Sequence, residues 1–160
     1  MKLYTLGTGH RPEYEFSRLL YKFGLQVLFD IRSWPGPIAE KLPHLSRAGM
    51  EKLCSNNRID YVFLGNELGG NCRTLFSGPN SRAVKEWLAT EEVQRNLKVI
   101  RRHVPNRVCG ILCSCYTPEF CRRLVLAGEI SRGGVEVEIV HILEEDRFWR
   151  LRQPKSSRRQ

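Results

Sequence analysis

The sequence predicts a single α/β domain of three layers, in which helices cover both faces of a mostly parallel sheet of about five strands. Two observations lead to this prediction. Short apolar segments with the character of strands alternate with segments whose apolar residues recur at helical spacing. The chain has 160 residues, which suits one domain with a core that is stable without disulfides.

Five apolar segments have the length and composition of strands. They are LYTL at 3–6, LQVLFDIRSWP at 25–35, DYVFLGNELGG at 60–70, RVCGILCSC at 107–115 and VEVEIVHIL at 135–143. Because His141 lies inside the last of these apolar runs, we expect it to be a buried core histidine.

Four segments between the strands have helical periodicity. They lie at residues 12–24, 47–57, 82–103 and 118–133. Ser46, Ser81 and Thr117 directly precede three of them, and a hydroxyl at that position caps a helix. Pro118 and Glu119 strengthen the start signal of the last helix, because proline and acidic residues favour the first turn.

The positive charge is concentrated at the C-terminus. The net charge is +9 at pH 7, and residues 147–160 hold six of the 26 basic residues and none of the 17 acidic ones. We predict an α/β domain over residues 1–146 and a flexible basic tail over 147–160. Alternatively, Phe148, Trp149 and Leu151 pack onto the domain. Nucleic-acid phosphates would be bound by the basic residues of the tail. These are Arg147, Arg150, Arg152, Lys155, Arg158 and Arg159.

The sequence lacks the signals of a membrane or secreted protein. No run of about 18 apolar residues occurs, and the start MKLYTLGTGH has the character of a strand. We therefore expect a cytoplasmic protein without membrane association, and its six irregularly spaced cysteines are expected to be reduced. No cofactor is predicted.

Polar residues and glycines follow the predicted strands, at the sheet edge where α/β proteins bind ligands. The residues selected by this rule are Thr8, Gly9, His10, Asp30, Arg32, Glu67, Cys113, Cys115, Arg122 and Arg123. Backbone N–H groups of the GTG turn, planar guanidinium groups and a helix N-terminus all suit an anion. The first hypothesis is therefore an anionic ligand, phosphate- or nucleotide-like. The alternative for Arg32 is a structural ion pair with Asp30 or Glu67.

Three cysteines fall within the nine residues CSCYTPEFC, 113–121. Cys115 lies just before the predicted start of the last helix, where the helix dipole would stabilise a thiolate. The second hypothesis is therefore an enzyme with Cys115 as nucleophile. Asp30 and Glu67 would then serve as general acid and base.

The same cysteines allow other interpretations. Cys113 and Cys121 would be small core residues, or they would form a disulfide. A zinc site would need a fourth ligand such as Cys72 or His10, and the sequence contains no C-x2-C pair. We therefore predict no metal site.

An ordered set of motifs resembles a known family. The motifs are TLGTG, VLFDIRSWP, IDYVFLGNELGG, C-x7-C-R-R and VHI. Their order and spacing resemble the family called domain of unknown function 488, over about residues 3–143. The resemblance implies a compact α/β domain whose recurring residues lie at strand ends, and it implies no settled activity.

The match to this pattern is complete at six positions and departs from it at three. The matching residues are Asp30, Arg32, Glu67, Cys113, Cys121 and Arg123. Thr8 stands where many members of the family carry histidine. Cys115 stands where many carry an acidic residue, and Arg122 where many carry histidine. Family chemistry that required those three side chains would be absent here.

Overall fold

The described residues form a three-layer α/β domain around a six-stranded sheet. The structure is a computed structural model that describes residues 1–33, 38–69, 78, 81–119, 121–134, 136–144 and 148–151, with the backbone alone for 38 and 148–151. The strands are β1 Lys2–Gly7, β2 Val27–Asp30, β3 Asp60–Phe63, β4 Cys109–Cys113, β5 Glu138–Ile142 and β6 Phe148–Leu151. The helices are α1 Glu13–Lys22, α2 Ile38–Lys41, α3 Arg47–Asn56, α4 Gly65–Leu68, α5 Arg82–Leu88, α6 Glu91–His103 and α7 Arg122–Arg132, with a 3-10 turn at Pro43–Leu45.

The sheet has the strand order β3-β2-β4-β1-β5-β6. The first five strands are parallel, and β6 runs antiparallel to β5. This confirms the prediction of a single α/β domain with a mostly parallel sheet of about five strands. Because β4 pairs with both β1 and β2, the carboxyl ends of these three strands lie side by side.

Two apolar clusters cover the two faces of the sheet. One cluster packs α1 and α3 against one face, with side chains such as Phe16 and Met50 fully buried. The other packs α4, α6 and α7 against the opposite face, with Leu97 and Leu126 fully buried. Burial on both faces explains why the central strands are continuous apolar runs rather than alternating ones.

The helix predicted over residues 82–103 is two helices. It breaks after Leu88, because the Thr90 hydroxyl donates a hydrogen bond to the Trp87 carbonyl at 2.8 Å and Thr90 adopts an extended backbone. Glu91 and Glu92 then occupy the first turn of α6, where the helix dipole favours acidic side chains.

Two further segments differ from the prediction. The run predicted as one strand over 60–70 is strand only to Phe63, and Gly65–Leu68 is a short helix. The last helix begins at Arg122, with Cys121 as its N-cap residue, and not at Pro118 after Thr117. Residues 114–119 form a loop instead.

Strand β6 falls within the segment predicted to be a flexible tail. Its backbone pairs with β5, from Phe148 opposite Ile142 to Leu151 opposite Ile139. Residues 147 and 152–160 lie outside the described residues. Within the described part of the chain, no helix combines the length and the apolar character needed to cross a bilayer.

Ser46 gives a direct test of the fold beside the sheet edge. Its hydroxyl accepts a hydrogen bond from Gly49 N at 2.9 Å and donates one to Pro43 O at 2.7 Å. We expect Ser46→Ala to lower the free energy of unfolding by about 1 kcal/mol, the usual cost of losing an N-cap. Urea unfolding measures this loss. Ser55→Ala, an exposed change in the same helix, is the control, and equal effects of the two changes would contradict the capping role.

Candidate functional site

The structure brings three cysteines together beyond the end of β4. The Sγ atoms of Cys113, Cys115 and Cys121 all lie within 4.8 Å of one another, and we call these residues the cysteine trio. Cys113 ends β4 and is 6% exposed, whereas Cys121 occupies the N-cap position of α7 and is fully buried. Cys115 lies in the connecting loop and is partly exposed. A nucleophile in this trio would therefore be Cys115, since it alone of the three is accessible beyond a few per cent.

Arg123 determines the shape of the loop that carries Cys115. Its side chain is fully buried, and its two terminal nitrogens donate to Cys115 O and Tyr116 O, both at 2.8 Å. Among the described residues, its Nε has no hydrogen-bond partner. These carbonyl contacts explain why 114–119 is not helical. The loop wraps around the guanidinium group, and the helix starts only afterwards.

Gly7 leaves the space that this loop occupies. A Cβ atom at Gly7 would overlap the Cys115 carbonyl oxygen and lie 2.7 Å from Arg123 Nη1. Thr8, which is buried, donates its backbone N–H to Cys113 O at 2.8 Å. The GTG turn thus holds the Cys113–Cys115 segment by close backbone approach.

Arg122 links three elements below the same loop. It is 4% exposed, and its Nη1 donates to Leu68 O at 3.3 Å and, at shorter range, to Gly69 O. Its guanidinium carbon lies 4.8 Å from the centre of the Trp87 ring. Arg122 therefore joins the start of α7 to the C-terminal end of α4 and to α5.

Asp30 and Arg32 form a buried ion pair at the end of β2. Arg32 Nη2 lies 2.6 Å from Asp30 Oδ2, and Arg32 Nε lies 2.9 Å from Asp30 Oδ1. Arg32 Nη1 donates to Leu45 O at 2.5 Å, and the Tyr61 hydroxyl donates to Asp30 Oδ2 at 2.7 Å. Burial by itself would lower the pKa of Arg32, but the hydrogen bonds and charge of Asp30 outweigh it, and the pKa is raised. The pKa of Tyr61 is also raised, by burial and by the Asp30 charge.

The structure contains the ion pair between Arg32 and Asp30, and ligand binding or catalysis by these residues stays a prediction. Their polar atoms are used within the protein, as the ion-pair alternative for Arg32 requires. Glu67, predicted as the second carboxylate of an acid–base pair, is exposed on α4.

Gly9 and His10 lie on the rim of an open cavity of about 460 Å³. Gly9 has a φ of +51°, a conformation that favours glycine, and His10 is exposed. Tyr116 lines the same cavity, and its hydroxyl donates to Glu144 Oε1 at 2.5 Å. Tyr116, which directly follows Cys115, therefore connects the cysteine loop to this cavity.

Arg11 is a positioning residue that sequence reasoning missed. It is 4% exposed, its Nη1 binds Glu15 Oε1 at 2.8 Å, and its other nitrogens donate to Gly7 O and Leu143 O. Arg11 thereby joins the ends of β1 and β5 to α1. The only signal in the sequence was its place directly after the GTGH turn.

His141 and the two cysteines outside the trio that the structure describes, Cys54 and Cys109, are core residues. Thr5 Oγ1 and His141 Nδ1 are hydrogen-bonded at 2.6 Å, and burial together with the charge of Arg123 lowers the pKa of His141 to about 4. Burial and the Asp30 charge raise the pKa of Cys54 to about 12, and burial raises the pKa of Cys109 to about 11. Both of these thiols therefore stay protonated near neutral pH and are poor nucleophiles.

Some residues of the sequence-based predictions lie outside the described part of the chain. Among them are Cys72 and most of the basic residues proposed to contact nucleic acid, Arg147, Arg152, Lys155, Arg158 and Arg159. Arg150 is described by its backbone in β6. The nucleic-acid contacts stay predictions.

A family model described as "Domain of unknown function DUF488" matches residues 14–130 of the chain. The match confirms the resemblance that the ordered motifs indicated, and it includes the whole cysteine trio. No curated protein and no solved structure was found to match the chain.

The Asp30–Arg32 pair can be tested by stability. Asp30→Asn removes the charge beside a guanidinium that is 4% exposed, so we expect the free energy of unfolding to fall by about 3–5 kcal/mol. Urea unfolding of the variant measures the loss. Glu67→Gln, an exposed change at the same sheet edge, should alter stability by no more than about 0.5 kcal/mol. A small effect of Asp30→Asn would show that Arg32 is not held by this pair.

The buried His141 predicts a stability that depends on pH. An unfolded chain protonates histidine near its usual pKa of about 6.5, whereas the pKa of folded His141 is about 4. The unfolded state binds more protons between these values, so stability falls as the pH decreases from about 6.5 to about 4. At pH 5 the loss should be on the order of 2 kcal/mol. His141→Gln lacks this loss, and equal pH slopes for both proteins, measured by urea unfolding, would refute the assignment.

Proposed function

Because the chain belongs to the family described as Domain of unknown function DUF488, whose description assigns no activity, we propose its function from the site itself. We propose a cysteine-dependent enzyme in which Cys115 is the nucleophile and one of the two buried cysteines of the trio, Cys113 or Cys121, acts as the second thiol. The observation that carries the proposal is the approach of the three Sγ atoms within 4.8 Å, with Cys115 on the exposed side.

Accessibility separates Cys115 from the other described cysteines. Cys54 and Cys109 are fully buried, and their pKa values are raised to about 12 and about 11. Cys113 and Cys121 are buried but lie next to Cys115. One accessible thiol beside buried ones is the arrangement of a site in which a first cysteine attacks and a second resolves the covalent intermediate.

The reaction that suits this arrangement is thiol–disulfide exchange. The Cys115 thiolate attacks one sulfur of a disulfide substrate, forms a mixed disulfide and releases the other substrate sulfur as a thiolate, which takes a proton from water. The thiolate of Cys113 or Cys121 then attacks the Cys115 sulfur and releases the second substrate thiolate. The substrate gains two electrons, the cysteine pair loses two, and an external thiol reductant restores the pair.

Arg123 is the positioning residue of this reaction. It binds the carbonyl oxygens of Cys115 and Tyr116, so it fixes the backbone that presents the nucleophile. The adjacent cavity of about 460 Å³ is lined by Tyr116 and provides space for a substrate near the loop. This proposal assigns no proton transfer to Asp30, which accepts hydrogen bonds from Arg32 and Tyr61, or to Glu67, which is exposed on α4.

An anionic ligand at the same edge has weaker support. The guanidinium groups of Arg32, Arg122 and Arg123 all donate hydrogen bonds to oxygens of the protein. The open cavity beside the GTG turn is lined by the basic His10 and Arg11 and equally by the acidic Glu15 and Glu144. We therefore propose the thiol chemistry first, and phosphate or nucleotide binding stays a prediction.

The first experiment maps alkylation of the reduced native chain by mass spectrometry. We expect Cys115 to react first, because it is partly exposed, and Cys54 and Cys109 to react only after unfolding. Equal reactivity of all the cysteines would refute the assignment of Cys115 as nucleophile.

The second experiment measures reduction of a chromogenic aromatic disulfide in the presence of a thiol reductant. Cys115→Ser should abolish the turnover that exceeds the reaction of the reductant alone. Cys113→Ser and Cys121→Ser should be compared for accumulation of the mixed disulfide, since the variant that lacks the resolving thiol traps it. Cys54→Ala, a buried cysteine on the opposite face of the sheet, is the matched control and should keep full activity. Turnover that survives Cys115→Ser would refute the proposal.

A further inference from the structure

The cysteine trio also has the composition of a site for a soft metal ion. We propose that Cys113, Cys115 and Cys121 bind one thiophilic cation, such as Zn²⁺ or Cu(I), through three thiolates. Soft sulfur ligands select these ions over Mg²⁺ or Ca²⁺, which prefer oxygen. The inference goes beyond thiol chemistry, because it assigns a ligand to the site, and only its regulatory consequence rests on the proposed function.

The sulfur positions are close to those that a metal requires. Thiolates bind zinc at about 2.3 Å, so two sulfurs of a tetrahedral site lie about 3.8 Å apart. In the trio all three Sγ atoms already lie within 4.8 Å of one another. Closing the remaining gap needs a shift of at most about 1 Å for each pair, which small rotations about the Cα–Cβ bonds supply.

The backbone holds two of the ligands rigidly and lets the third adjust. Cys113 is the last residue of β4, which is hydrogen-bonded to strands on both sides. Cys121 is fully buried at the start of α7, and its side chain does not cap the helix. Cys115 is on the loop between them, and Arg123 holds its carbonyl oxygen. Such a site needs little reorganisation when a metal ion enters.

The charge around the trio gives an independent argument. Arg123 is fully buried, and its hydrogen bonds go to carbonyl oxygens, which carry no net charge. Among the described residues it has no carboxylate partner within salt-bridge distance. A buried cation is costly without a nearby negative charge. Three thiolates around Zn²⁺ carry a net charge of −1, so the bound site would place a negative charge beside the loop that Arg123 binds.

The number of ligands defines the kind of site. Within the described residues, the cluster has three metal-ligating side chains and includes no histidine or carboxylate. Zinc with three protein ligands keeps a position open for water or another external ligand. Copper(I) is satisfied by soft thiolates alone. Both ions therefore fit the trio.

Metal binding would control the thiol chemistry of the proposed function. An ion held by all three sulfurs occupies the Cys115 lone pair that would attack a substrate, so the metal-bound protein would be inactive in disulfide exchange. Release of the ion would restore the nucleophile. This consequence assumes the enzyme proposal, whereas the binding itself does not.

The test is a titration of the full chain, reduced with a phosphine and stripped with a chelator, against Co²⁺ and then Zn²⁺. We expect one equivalent of Co²⁺ to produce a sulfur-to-cobalt charge-transfer band, and Zn²⁺ to remove it by displacement. Cys113→Ser, Cys115→Ser and Cys121→Ser should each weaken Zn²⁺ binding by more than about tenfold. Loss of a mere hydrogen-bond partner of a metal ligand already weakens binding by about tenfold, and loss of a ligand itself should weaken it more. Cys54→Ala should bind as the unaltered chain does.

Two results would overturn the inference. One is the absence of a charge-transfer band at one equivalent, and the other is an equal loss of affinity in Cys54→Ala and in the trio variants. If a variant does not fold, a second measurement takes its place: the rate at which Cys115 of the unaltered chain is alkylated with and without Zn²⁺. Zn²⁺ should slow this alkylation, and an unchanged rate counts against the site. Absent metal binding with a reactive Cys115 refutes this inference alone. Metal binding with turnover that survives Cys115→Ser refutes the enzyme proposal alone.

Discussion

The buried guanidinium group of Arg123 is the interaction on which the carboxyl edge of the sheet depends. It binds the carbonyl oxygens of Cys115 and Tyr116, and so replaces the backbone hydrogen bonds that a helix would have made there. The space for this contact exists because Gly7 has no side chain. Burial, together with the charge of Arg123, lowers the pKa of His141 in β5. One side chain therefore sets the loop shape, the exposure of Cys115 and the local charge.

The carboxyl edge of the sheet holds a buried ion pair at the end of one strand and a group of three thiols at the end of the next. At the end of β2, Asp30 and Arg32 are paired and buried, with Tyr61 and Leu45 O completing their hydrogen bonds. At the end of β4, the three sulfur atoms of the cysteine trio lie within 4.8 Å of one another. Paired carboxylates and guanidinium groups at strand ends suggested ligand binding from sequence, but each partner satisfies the other. In our two proposals the chemistry of this edge belongs to the thiols, as nucleophile or as metal ligands.

The sequence predicted the fold class better than it predicted the loops. The alternation of strands and helices predicted the topology class, and Ser46 and Ser81 were correct as helix caps, because capping depends on neighbouring residues alone. Thr117, Pro118 and Glu119 form an equally strong local signal, yet the helix begins four residues after Pro118, since Arg123 takes the loop carbonyls. Thr90, Glu91 and Glu92 were a start signal that periodicity over 82–103 concealed.

The sequence by itself determined the fold class and the family, because these follow from periodicity and motif order, and it selected candidate residues for the sheet edge. Only the tertiary structure decided which of those residues bind one another. Asp30 and Arg32 are two positions apart in the sequence, and Cys113 and Cys121 are eight apart. Sequence distance does not show whether a side chain binds another side chain or a backbone carbonyl. That choice depends on packing across strands and helices, as the contacts of Arg123 demonstrate, and it turned a predicted helix start into the loop that carries Cys115.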